Sequence, residues 1–208
     1  DVCSSDLPRI TNALLYQLSH IGFAGANVIF ISSFCRKNQL FIEICNTKFI
    51  LMKKTKILFV CLGNICRSAC AEAVMKHIAK ENGTESDFEI DSAGLISYHS
   101  GEQADPRMRR HAAKRGIMIT SVARKITDAD FSYFDKIIGM DDSNINRLLE
   151  IAPDETARKK ISKMSDYCQT HNANSVPDPY YGDDNAFELV LDLLDDACKG
   201  LLSDCHLP

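Results

Sequence analysis

From Met52 onward the chain alternates short apolar runs with stretches of helical spacing, and few folds accommodate that order. Ile57-Leu58-Phe59-Val60 has no polar break, the pattern of a strand covered on both faces. Residues 67–82 come next, with Ala71, Val74, Met75 and Ile78 at helical spacing and Asn82-Gly83 as a stop. Residues 88–92 read as a second strand. A loop over 94–105 then leads to a helix opening at Pro106, a favoured first helical position. That helix carries Met108, His111 and Ala112 toward Gly116. Residues 136–140 read as a third strand, 144–151 as a helix and 160–164 as a fourth strand. Residues 186–202 form a last helix whose stripe of Phe187, Val190, Leu191, Leu194, Ala197 and Leu201 belongs in a core. The expectation is an α/β fold: a four-stranded parallel sheet, doubly wound, with helices on both faces.

In such a sheet ligands bind beyond the carboxyl ends of the strands. The first strand runs into Cys61-Leu62-Gly63-Asn64-Ile65-Cys66-Arg67-Ser68 before the helix begins. A loop rich in backbone N–H groups, a guanidinium and a helix N-terminus together make a cradle for an oxyanion. Arg67 adds a planar fork that matches two phosphate oxygens. The same positive field favours Cys61 as a nucleophilic thiolate. An anion site with a nucleophile at its floor points to phosphoryl transfer onto sulfur. The run is not a nucleotide-binding P-loop, because no Gly-Lys-Ser/Thr follows Gly63. Zinc on Cys61, Cys66 and Cys70 would need a fourth ligand, for which His77 is the nearest candidate, and the chain has no Cys-x-x-Cys pair. A buried Cys closing a strand is the plain structural alternative.

Residues 57–68 resemble the low-molecular-weight protein tyrosine phosphatases, and so does Val176-Pro177-Asp178-Pro179-Tyr180-Tyr181-Gly182. Asp91-Ser92-Ala93-Gly94, Ala123-Arg124-Lys125-Ile126-Thr127 and Met140-Asp141-Asp142-Ser143-Asn144 agree with that family as well. The resemblance, of a bacterial-like kind, runs from about Met52 to the C-terminus. It implies in-line attack by Cys61 to give a phosphocysteine, with Arg67 and the amides of Leu62, Gly63, Asn64, Ile65, Cys66 and Ser68 holding the phosphate oxygens. Asp178 would protonate the leaving phenol and then activate water; Pro177 and Pro179 stiffen the loop that presents it. Ser68 would hydrogen-bond the Cys61 sulfur. Asn64 would take a left-handed conformation supported by Ser92. The resemblance implies that Tyr180 and Tyr181 would form one wall of an aromatic slot and Tyr98 the other. Cys66 is implied as a redox partner that closes a reversible disulfide with Cys61. Cys70, Cys168, Cys198 and Cys205 read as packing or surface thiols. Ala69 stands where many members place Pro.

The resemblance requires no metal or other cofactor. It implies phosphotyrosine proteins or small aryl phosphates as substrates, with a bacterial tyrosine kinase among the possible partners. Related arginine phosphatases carry Thr at the Ile65 position and lack the paired tyrosines. An arsenate reductase on the same fold needs further relay cysteines, and none lies between Cys70 and Cys168. A non-catalytic phosphate-binding module would usually lose Cys61, Arg67 or Asp178.

The 208 residues, 45% hydrophobic and 25% charged, fit one ordinary domain plus an appendage. A net charge of -4 gives no electrostatic case for nucleic acid or a membrane surface. Nine cysteines, odd in number and irregular in spacing, do not make a secreted disulfide framework. A catalytic thiolate suits a reducing compartment, so a cytoplasmic location is expected. Met52-Lys53-Lys54-Thr55-Lys56 looks like a natural start, which makes 52–208 the phosphatase domain. Residues 1–51 are then an N-terminal extension of unknown role, of the kind left by reading upstream of the true start; a regulatory or anchoring arm is the alternative. Within it, residues 21–34 are interrupted by Asn27, Ser32 and Ser33, too polar for a transmembrane helix, and lack the layout of a signal peptide.

Overall fold

The computed structural model describes residues 54–205. The expectations for residues 1–51 lie outside the described residues. The chain separates into two units, Asp1–Lys53 and Lys54–Pro208, and the described residues all belong to the second.

Strand β1 (Thr55–Cys61) is central, in a four-stranded sheet of order β2-β1-β3-β4. It pairs in parallel with β2 (Phe88–Gly94) and β3 (Lys136–Gly139), and β3 pairs in parallel with β4 (Ile161–Lys163). Between them run α1 (Arg67–Glu81), α2 (Pro106–Lys114), α3 (Asp128–Tyr133), α4 (Asp142–Ile151) and α5 (Glu155–Arg158), and α6 (Asp184–Cys205) closes the fold. The uninterrupted apolar run of β1 has its explanation in the side-chain alternation of a strand. Ile57 and Phe59 pack into a core with α1 and α6, while Leu58 and Val60 pack with Phe131, Phe134, Ile137 and Leu148 on the opposite face. All four are fully buried.

The apolar stripe expected along the last helix is buried from Phe187 to Leu201. That helix begins at Asp184 and reaches Cys205, longer at both ends than its apolar pattern indicates. Gly200 lets the turn Met164–Tyr167 lie against it: a Cβ there would stand 1.9 Å from the Tyr167 carbonyl oxygen. Helix α3 is too short to show a hydrophobic period, and the sequence pattern does not indicate it. A capping box starts it, in which the Thr127 N–H donates to Asp130 Oδ2 at 2.7 Å.

Two junctions carry the fold to the site. The end of β2 lies directly against the loop after β1: the Leu95 N–H donates to Cys61 O at 2.9 Å and that of Ile96 to Leu62 O at 3.1 Å. A Cβ on Gly94 would meet Gly63 C at 3.0 Å and Leu62 O at 3.1 Å, so only glycine permits this approach. Arg124 is the second junction, pairing with Asp91 at 2.8 Å and Asp130 at 3.0 Å. Partial burial would raise the Asp130 carboxyl, but hydrogen bonds from Arg124 and Thr127 outweigh it and hold it below its ordinary range.

Asp130 therefore stabilises the fold fully above the ordinary carboxylate pKa, and the contribution is lost as pH falls through its depressed value. Asp130→Asn should cost about 1–3 kcal/mol at pH 7. In thermal unfolding the gap to the parent should narrow below about pH 4.

Candidate active site

Cys61 is the last residue of β1, and the loop after it folds back over its sulfur. The Asn64 N–H points at Cys61 Sγ from 3.3 Å, and Ser68 Oγ lies 3.0 Å from the same atom. Asn64 has φ 59, the one non-glycine residue in the left-handed region among the described residues. That turn directs its amide inward. Its side chain stabilises the conformation through three bonds: Nδ2 donates to Ser68 Oγ and Ser92 Oγ, each at 2.9 Å, and Oδ1 accepts from the Arg124 N–H at 3.0 Å.

These bonds fix proton directions. Ser68 Oγ already accepts from Asn64, which leaves its own proton free to point at sulfur. Ser92 in turn donates to Glu72 Oε2 at 2.5 Å. Glu72 is buried on α1 and is also paired with Lys76 at 2.5 Å. A line of hydrogen bonds thus runs from Glu72 through Ser92, Asn64 and Ser68 to Cys61. Sequence reasoning missed Glu72. Its only signal there is a carboxylate inside the run Ala69-Cys70-Ala71-Glu72-Ala73-Val74.

Arg67 opens α1 with its side chain only 4% exposed. Nη1 reaches Asp141 Oδ2 at 2.5 Å and the Val176 carbonyl at 3.3 Å, while Nη2 pairs with Asp178 Oδ2 at 2.7 Å. Nε is buried and has no hydrogen-bond partner among the described residues. Burial would weaken the charge on Arg67, but the fields of Cys61 and Asp178 and the bond to Asp141 outweigh it and raise its pKa. Asp141 lies in a segment that agrees with the family, yet nothing in the linear sequence assigns it a role. It caps α4 by accepting the Asn144 N–H at 2.8 Å and holds Arg67 with its other oxygen.

The structure brings Cys61, Asn64, Ser68 and Ser92 together at the end of β1, and Arg67 to Asp178. Val176 leads the Asp178 segment in beside β3, its N–H donating to Met140 O at 2.9 Å. Tyr180 and Tyr181 meet edge-to-face at 4.9 Å, with Tyr181 almost wholly exposed. Tyr98 is exposed on a separate loop, its ring against His99. His99 also covers Gly63, where a Cβ would come within 3.1 Å of its Cδ2. Leu62 is half exposed, whereas Cys61, Asn64 and Cys66 are buried. Burial pushes the Cys66 thiol far up, with help from Asp105. Cys70 and Cys198 are fully buried packing thiols, and burial raises Cys70 to about 12. Among the described residues no group of His, Cys, Asp and Glu is placed to hold a metal ion; His77 pairs with Glu81 at 3.3 Å.

A family model, low molecular weight phosphotyrosine protein phosphatase, matches residues 56–206. The chain belongs to this family. A family protein of that name from Dictyostelium discoideum is 37% identical over 166 residues, covering 72% of this chain and 92% of the relative. A human family protein is 36% identical over 151 residues, covering 72% and 95%. Among solved structures, a protein tyrosine phosphatase from Entamoeba histolytica, crystallised with Hepes in the active site, is 46% identical with a TM-score of 0.71; it covers 73% of this chain and 97% of its own. A Drosophila arginine phosphatase is 29% identical with a TM-score of 0.69, covering 73% and 99%. Both share the family's α/β fold with this chain.

Asn64→Ala should remove three side-chain bonds and put alanine in a left-handed turn, costing about 2–4 kcal/mol in denaturant unfolding. Asn64→Gly should recover the backbone part of that loss only.

Proposed function

We propose that the protein hydrolyses phosphotyrosine through a phosphocysteine intermediate on Cys61. The observation that carries this reading is the buried Cys61 sulfur, which faces an inward amide and a hydroxyl proton beside a guanidinium held by two carboxylates. As a phosphate monoester enters, Cys61 Sγ attacks phosphorus in line and the P–O bond to the leaving phenol breaks. Nε and Nη2 share one edge of the Arg67 guanidinium, the edge that accepts two phosphate oxygens. Nε is without a partner among the described residues, and Nη2 is held by Asp178. A bound phosphate takes that edge and releases Asp178 to act on the leaving oxygen.

Asp178, freed from Arg67 and protonated from solvent, gives that proton to the leaving phenolate oxygen, and as carboxylate it then takes one from the water that cleaves the thiophosphate. Ser68 and the Asn64 N–H stabilise sulfur first as nucleophile and then as leaving group. Backbone amides of residues 62–68 hold the equatorial oxygens, where they need little reorganisation as charge shifts. Ser92 supports the loop through Asn64. Tyr180, Tyr181 and Tyr98 flank the phenol ring of the substrate. Cys66 stays a protonated thiol in the resting enzyme because burial disfavours its thiolate. After a peroxide oxidises the Cys61 thiolate to the sulfenic acid, the Cys66 thiol attacks that sulfur and water leaves as the disulfide forms.

Substrates in this reading are phosphotyrosine proteins, a bacterial tyrosine kinase among them, and small aryl phosphates, in the cytoplasm. Residues 52–208 form the catalytic domain. The neighbouring arginine phosphatase raises a second substrate class; Ile65 and the Tyr180-Tyr181 pair favour tyrosine here.

The full chain and residues 52–208 should both hydrolyse a phosphotyrosine peptide in EDTA. Cys61→Ser should abolish turnover, and Asp178→Asn should reduce it about 10²–10⁴-fold. Absence of turnover from folded, reduced protein would refute the proposal, and activity confined to phosphoarginine would move the substrate class.

A further inference from the structure

Arg107 belongs to neither the phosphate loop nor the Asp178 loop, yet it connects them. It stands in the first turn of α2, where Asp105 is the N-cap. Its Nε and Nη2 meet the two oxygens of Asp105 at 3.1 and 2.8 Å, a two-pronged pairing that fixes the plane of the guanidinium. Asp105 is anchored in turn to the phosphate loop, its N–H donating to Ile65 O at 2.8 Å. Nη2 of Arg107 also donates to the Tyr180 carbonyl at 3.0 Å, and the Tyr180 N–H donates to Asp178 Oδ1 at 3.1 Å. The guanidinium lies 5.5 Å from the centre of the Tyr180 ring and 4.9 Å from that of Phe187 on α6.

An unbroken path therefore runs from Ile65 through Asp105, Arg107 and Tyr180 to Asp178. One end of it is stiff, because Asp105 is buried and caps a helix. Burial alone would favour the neutral acid of Asp105, but the bonds from Arg107 outweigh it and keep the carboxylate charged. The other end is a segment without regular secondary structure, tied on its near side by Val176 to Met140. Arg107 ties its far side, so Asp178 sits between two anchors.

We infer that Arg107 is a positioning residue that sets the reach of Asp178 over the leaving oxygen, without binding phosphate itself. This role rests on the phosphatase reading, with Asp178 as proton donor. A positioned acid matters most where the leaving phenolate is basic and least where it departs unprotonated. Loss of Arg107 should therefore depend on the leaving group. A purely structural arginine would affect every substrate alike, and a phosphate ligand would weaken phosphate binding.

The test measures kcat/KM for the full chain across aryl phosphates from dinitrophenyl to phenyl phosphate, for the parent, Arg107→Gln, Arg107→Lys and Asp178→Asn. Asp178→Asn should steepen the dependence on leaving-group basicity. Arg107→Gln should steepen it in the same sense, losing about tenfold on phenyl phosphate and under about twofold on dinitrophenyl phosphate. Inhibition by inorganic phosphate should be unchanged. Arg107→Lys reaches either Asp105 or the Tyr180 carbonyl and should fall between; it decides the matter if the glutamine variant does not fold. The Arg107→Gln/Asp178→Asn double variant should be no slower on phenyl phosphate than Asp178→Asn alone. A uniform loss across the series, or weaker phosphate inhibition, overturns the role of Arg107 while a steepened Asp178→Asn slope leaves the phosphatase reading standing. An unchanged Asp178→Asn slope, or a parent without turnover, overturns that reading and this inference with it.

Discussion

The left-handed turn at Asn64 is the constraint on which the site depends. An L residue adopts that conformation at a cost unless its surroundings fix it. Here the fixing groups come from three places in the fold: Ser68 on α1, Ser92 on β2 and the backbone of Arg124. The turn points one amide at the Cys61 sulfur and leaves the Ser68 proton available to it. Without the parallel pairing of β2 with β1 there would be no Ser92 beside Asn64, and without Gly94 the two chains could not approach. Sheet register and the environment of one sulfur atom are thus a single problem.

Charge is balanced on the same scale. Arg67 is a buried cation, and an unpaired one would be strongly disfavoured. Asp141 and Asp178 both meet it, but they are differently placed. Asp141 is a helix cap tied to backbone and is the fixed partner. Asp178 is 43% exposed on an irregular segment and is the partner that can leave. In the proposed mechanism an entering dianion would replace one carboxylate with a group of greater charge on the same guanidinium edge, so Arg67 would remain neutralised throughout.

Much of this architecture is legible in the sequence because it rests on local pattern. The apolar run of residues 57–60 marks a strand buried on both faces, and the stripe from Phe187 to Leu201 marks the closing helix. Cys61, Arg67 and Ser68 are close in sequence, so one strand-loop-helix turn accounts for their proximity in space. Glu72, Asp141, Asp105 and Arg107 are illegible for a common reason. Each acts through a partner distant along the chain, and each looks locally like an ordinary helix or cap residue. Helix α3 is hidden because six residues are too few to show a period, and its capping box uses Asp where Glu or Gln is usual.

The separation of Arg67 from Asp178 has a consequence for biosynthesis. The two lie 111 positions apart along the chain. A ribosome delivers the thiol and guanidinium first and the second carboxylate only when β4 is already complete. α6, whose face covers one side of the sheet, comes later still. Until then Cys61 and Arg67 stand without Asp178, the carboxylate that shares Arg67 with Asp141, and without the helix that seals the core. The loop that cradles the anion is made early, and the site is complete only when the Asp178 segment and α6 have joined the sheet.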